Sequence, residues 1–164
     1  MTIHLTARKA FAALIVSFLF HNIEEALSIC SYPVQSPVSF IKPASCHQFL
    51  WAVSIISLIV VVLFIIAMYS KQQTVYLFIS TAIASGLALN ALVPHIIIAL
   101  YSLSYTPGLV TAVLLIFPLG LFTLFKNSPI FTSRKLFYRF IGIGLVVGYV
   151  IFAVVMSLVQ QIFK

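Results

Sequence analysis

A chain of 164 residues that is 63% hydrophobic and only 7% charged is not an ordinary water-soluble domain. Its formal charge of +7 comes from nine Lys and Arg against two acids, and the cations are scattered between apolar runs rather than gathered in a basic patch with interleaved aromatics. That pattern argues against a nucleic-acid partner and for cations that set membrane topology.

In chain order, five stretches are long and apolar enough to cross a bilayer: residues 9–30, 48–69, 73–102, 107–125 and 136–162. The third is long and carries Pro94, so it is expected to tilt, kink or protrude. None shows the alternation of a membrane β-strand. The predicted fold is all-α: a polytopic membrane bundle of about five transmembrane helices, one domain over residues 1–164, surrounded by membrane lipid. With the N-terminus inside, the inner flanks hold Arg8, Lys9, Lys71, Lys126, Arg134, Lys135 and Arg139, against Lys42 and Lys164 outside. The asymmetry predicts an N-inside, C-outside topology, in the cell membrane.

The first run, "ARKAFAALIVSFLF", also has the form of a signal peptide, with Ala26-Leu27-Ser28 as a small-residue cleavage site. The apolar stretch resumes at "ALSIC", which suits a continuous span better. Cys30 and Cys46 then bracket the longest loop, whose three prolines favour an irregular path. Two readings stand for this pair: a disulfide in an oxidising outer compartment, or two unpaired thiols at the membrane interface. In later spans, Gly144 and Gly148 form a GxxxG, and Ala82 with Gly86 puts small residues on the third helix, spacings that permit close helix approach. No inverted internal repeat of the transporter type is visible.

Glu24 and Glu25 are the only acids in the chain, and both lie inside the first span, one helical turn after His21. Positions i, i+3 and i+4 share a helix face, so His21, Glu24 and Glu25 are presented together. A charged residue at the centre of a membrane helix costs roughly 2.5–3.5 kcal/mol, and two adjacent carboxylates cannot easily both ionise in low dielectric. Either a proton or a cation must balance them. No Lys or Arg lies at matching depth within a predicted span, which leaves protons, His21 and His95 themselves, or a divalent metal that takes neutral imidazoles as ligands. "NALVPH" supplies the complement, since Asn90, Pro94 and His95 fall in the outer half of the third span. Pro94 lacks an N–H, so the Asn90 carbonyl is expected to lose its helical partner.

The simplest site takes His21, Glu24 and His95 as three ligands to one divalent metal ion, zinc in type, with a fourth position open for water. Glu25 is then the catalytic general base. Helix geometry does not separate Glu24 from Glu25, and their roles can be exchanged. A hydrogen-bonded pair that merely orients helices is the bland alternative for His21 with either glutamate, and a core histidine bonded to a carbonyl is that for His95. A dinuclear carboxylate site is under-supplied, because such bundles use about four glutamates and two histidines. His47, at the outer mouth of the second span, is a reserve ligand, and His4 lies near the inner end, away from the site.

His21-Asn22-Ile23-Glu24-Glu25 resembles the motif that names the HXXEE family of membrane proteins, a family also described by a further histidine and a Y-x-P-G motif. Tyr105-Thr106-Pro107-Gly108 matches the latter, and His95 is assigned as the further histidine by elimination against His47. The resemblance covers nearly the whole chain in order and spacing. It implies a site at these residues without naming a substrate. The tetrapeptide also reads as a helix start, with Thr106 as cap, Pro107 in the first turn and Gly108 permitting close approach. A Tyr105 hydroxyl donated to a substrate or a carboxylate is the functional alternative.

The leading expectation is an intramembrane metallohydrolase acting on a lipid, a lipid-linked molecule or a peptide bond near the outer leaflet. The alternative is a proton- or cation-coupled transporter or binding protein built on the same His/Glu cluster. A third reading makes the cluster helix glue in a structural subunit.

Overall fold

In apolar surroundings a backbone must satisfy its own polar groups, and long helices do so within one segment. The computed structural model describes residues 2–32 and 45–163, with the side chains of 2–5 left aside, and has no strand among them. Its helices are α1 (Thr2–Ser28), α2 (Cys46–Tyr69), α3 (Gln73–Ser102), α4 (Leu109–Ile130) and α5 (Arg134–Ile162). All five are long and apolar enough to cross a membrane. The starts of the spans lie within a few residues of the sequence expectation. The proline-bearing loop, Lys42, Lys164 and the side chain of His4 lie outside the described residues.

Local chemistry opens several of these helices. Ser45 and Gln48 close a reciprocal box at the start of α2: the Ser45 hydroxyl accepts from the Gln48 amide at 3.2 Å, and the Gln48 side chain accepts from the Ser45 amide at 2.8 Å. Ser133 caps α5 by accepting from the Leu136 amide at 3.3 Å. The turn ahead of α4 departs from expectation. Gly108, not Thr106, is its N-cap residue, with φ of 80° and no side chain of its own to cap with. Thr106 instead donates its hydroxyl to the His95 carbonyl at 3.3 Å, which ties this turn to α3.

Helix α3 packs on all four others, and α1 lies between α2 and α4. Half of the apolar window of α1 is buried, against 11% for α2 and for α5, so the helix that carries both acids is the most enclosed of the five. Phe11, Leu14, Ile15 and Phe18 of α1 form the apolar core with Tyr76, Leu77, Ala84 and Ala91 of α3 and with Ile116 of α4. Gly144 of α5 sits directly on Ala82 of α3, where an added Cβ would collide with the Ala82 backbone, whereas Gly148 faces open space. Only the first glycine of the GxxxG is therefore used inside the bundle.

A disulfide joins Cys30 to Cys46, with their Cα atoms 5.3 Å apart, and fastens the end of α1 to the start of α2. This end of the bundle, called the disulfide end below, also holds the end of α3, the start of α4 and the end of α5, where Gln48 donates to the Phe163 carbonyl at 3.0 Å. At the opposite end, Arg8 donates to the Met68 carbonyl at 2.7 Å and lies over the Tyr76 ring.

Around Pro94 the seven residues Ala91–Ile97 widen into a π-helical segment that includes Pro94 and His95. The wider turn relieves the clash of the proline ring with the preceding turn, and such bulges recur at functional sites. A second π segment, Ala112–Ile116 of α4, packs against the first.

Candidate functional site

His21 and His95 each lie seven residues from the disulfide end of their helices, at Ser28 and Ser102, roughly 10 Å down each axis at 1.5 Å per residue. The two spans are neighbours here, and the imidazoles meet edge to face with centroids 4.7 Å apart. Glu25 lies between them: its Oε1 is 3.4 Å from His95 Nε2 and 3.7 Å from His21 Nε2. All three side chains are buried. One ligand atom from each lies within 4.8 Å of the others, a grouping that could hold a metal ion. His21 Nε2 is buried with no hydrogen-bond partner. Such an orphan in a closed bundle points to a missing partner in the space between the three groups.

The structure thus brings together His21, Glu25 and His95, while Glu24 lies apart from them. Adjacent helical residues diverge by about 100°, and the neighbours of each glutamate decide its role. Glu24 faces the start of α4. Its Oε1 accepts from the Tyr105 hydroxyl at 2.7 Å and the Val110 amide at 3.1 Å; its Oε2 accepts from the Thr111 amide at 2.8 Å and the Thr111 hydroxyl at 2.6 Å. A carboxylate from α1 thereby caps α4, satisfying amides that Gly108 cannot, and its charge suits the positive end of the helix. Tyr105 lies between the spans; partial burial and the adjacent carboxylate hold its hydroxyl pKa above its usual value, so it remains a donor.

Gly108 closes the site from above. With φ of 80° it occupies a conformation that other residues rarely adopt, and a Cβ there would lie 2.6 Å from His21 Cε1 and 2.8 Å from Glu25 Cγ. The close approach expected of this glycine is therefore made onto the site itself. Asn90, one turn before His95, places its side-chain nitrogen 3.4 Å from His95 Nε2. His47 is exposed beside Leu50, Trp51 and Ser54 and does not join the cluster.

Thr111 joins this cluster although no motif in the sequence marks it. Its hydroxyl touches both Glu24, at 2.6 Å, and His21 Nδ1, at 2.9 Å. The signal was a lone hydroxyl in the apolar run "GLVTAVLLIF", three residues after the Y-x-P-G glycine.

The family described as a protein of unknown function with HXXEE motif matches residues 12–123, which include every residue of this site. The uncharacterized protein YrkK of Bacillus subtilis (strain 168) is 27% identical over 136 residues, covering 82% of this chain and 84% of that protein. No solved structure matches the chain.

Proposed function

The chain belongs to the HXXEE family, whose function is unknown, and we propose that it is an intramembrane metal-dependent enzyme, a hydrolase, with one divalent ion of the zinc type held by His21, Glu25 and His95. The observation that carries this reading is the convergence of two imidazole Nε2 atoms and one carboxylate oxygen in a buried space, with His21 Nε2 otherwise partnerless. Two neutral imidazoles and a carboxylate form a donor set that zinc takes, and three protein ligands leave a fourth position open. Relative to the sequence expectation, Glu25 takes over the ligand position from Glu24, and Glu24 leaves the metal site. Glu24 is saturated by four donors and is a poor base or ligand.

A bound divalent ion supplies the Lewis acidity that brings the pKa of water towards neutrality. His21, Glu25 and His95 would hold the ion, and a Glu25 carboxylate oxygen left free of it would accept a proton. Gly108 and the apolar packing of the two π segments restrict water around the cluster. In this reading the N-terminus is inside and the site lies nearer the outer leaflet of the cell membrane, as the cation distribution favours. The substrate is then a lipid, a lipid-linked molecule or a peptide bond at that interface. Buried Phe11, Leu14, Phe18 and Ile116 fill the core between the cluster and Arg8, which favours a closed site over a polar path for ions across the bundle.

Elemental analysis of the purified protein tests this. About one transition metal per chain is expected, lost in His21→Ala, His95→Ala and Glu25→Gln variants. Protein that takes up no metal, from cells or on titration with zinc, refutes the reading.

A further inference from the structure

Thr111 bonds both His21 and Glu24, and we propose that Glu24 and Thr111 are positioning residues that fix His21 with its proton on Nδ1, so that Nε2 presents a bare lone pair to Glu25 and His95. The purpose assigned to this arrangement rests on the metal-site reading above; the tautomer does not.

The assignment follows from counting donors and acceptors. The amides of Val110 and Thr111 can only donate, and both point at Glu24. A carboxylate offers about four acceptor sites, and the hydroxyls of Tyr105 and Thr111 occupy the remaining two. Thr111 has one hydrogen, and its shortest contact, 2.6 Å, is to the charged oxygen Oε2. The competing acceptor, the Gly108 carbonyl, is 3.3 Å away and uncharged. With its hydrogen committed, the hydroxyl meets His21 Nδ1 at 2.9 Å through a lone pair. His21 must therefore donate from Nδ1. A neutral imidazole carries one N–H, so Nε2 is unprotonated. Nε2 is also the nitrogen that has no hydrogen-bond partner and lies 3.7 Å from Glu25 Oε1. Histidines that ligate metals are oriented in this way, by donating the other ring N–H to a fixed acceptor.

Nitrogen NMR of metal-free, 15N-histidine-labelled protein in detergent micelles reads the tautomer directly, with His21 assigned by the signals lost in His21→Gln. The expected wild-type pattern is Nδ1 protonated and Nε2 bare at neutral pH. An Nε2–H or a doubly protonated ring overturns the proposal. Thr111→Val should let the Nε2–H form appear, while Thr111→Ser should retain the wild-type pattern and His95 should be unchanged in both. An unchanged His21 in Thr111→Val also overturns it; should that variant not fold, the wild-type and Thr111→Ser spectra still decide. Zinc titration supplies the second arm, with Thr111→Val binding about 10–100-fold more weakly and Thr111→Ser close to wild type. An altered tautomer with unaltered zinc affinity removes the positioning role. Wild-type protein with the Nδ1–H tautomer and no zinc affinity refutes the metal site and leaves the tautomer standing.

Discussion

Gly108 lies against His21 so closely that a Cβ at the glycine would stand 2.6 Å from the imidazole Cε1. The contact couples the Y-x-P-G turn to the HXXEE motif, and the positive φ of the glycine adds a second reason why no other residue fits. Gly108→Ala should cost about 1–3 kcal/mol from overpacking and a further ~1–2 kcal/mol from the left-handed backbone. Thermal unfolding in detergent measures the loss, and zinc binding should fall with it. A Gly108→Ala protein of wild-type stability would mean that the turn is held less tightly than its geometry implies.

Glu24 and Glu25 are adjacent but should fail in different ways. Glu24→Ala removes the acceptor for two amides and two hydroxyls, at a cost of about 2–3 kcal/mol for charge-assisted bonds. Hydrogen exchange at Val110 and Thr111 should quicken in that variant. Glu25→Gln should leave exchange there unchanged while lowering metal uptake. Equal protection of these two amides in both variants would contradict this division of roles.

Tyr105 gives the site a pH signature at the alkaline end. Its raised pKa means that the folded protein holds the phenolic proton more tightly than the unfolded chain does. Stability from this group is therefore complete below the unfolded pKa of about 10, and is lost as pH rises through the folded value. Unfolding midpoints measured across that window should decline, and Tyr105→Phe should flatten this part of the decline. The side chain is half-exposed, so Tyr105→Phe itself should cost only about 1 kcal/mol.

The two glycines of the GxxxG should separate cleanly. Gly144 is seated on Ala82, and Gly144→Val should disrupt the contact of α5 with α3 by more than 1 kcal/mol. Gly148 faces open space, so Gly148→Ala should lie within about 0.5 kcal/mol of wild type. Unfolding in detergent compares the two, and a larger loss at Gly148 would place an interface on the outward face of α5.

Much of the architecture was legible because hydropathy acts locally: about twenty apolar residues suffice to form a span, wherever its neighbours lie. The five spans, the histidine pair at common depth and the cost of two acids inside a span all come from the order of residues along the chain. Pro94 also announced a local disturbance, which takes the form of a π segment packed against that of α4.

What the sequence determined by itself is the inventory: five apolar helices, and two acids and two histidines placed where polar groups are costly. The choice between Glu24 and Glu25 belonged to the tertiary structure, because i+3 and i+4 share a face with His21 and differ only in which helix each meets. Glu24 met the open N-terminus of α4, whose amides lacked a cap, and Glu25 met His95 of α3. Thr111 acquired its role in the same way, as contact between residues 90 positions apart follows from packing and leaves no periodic trace in the chain.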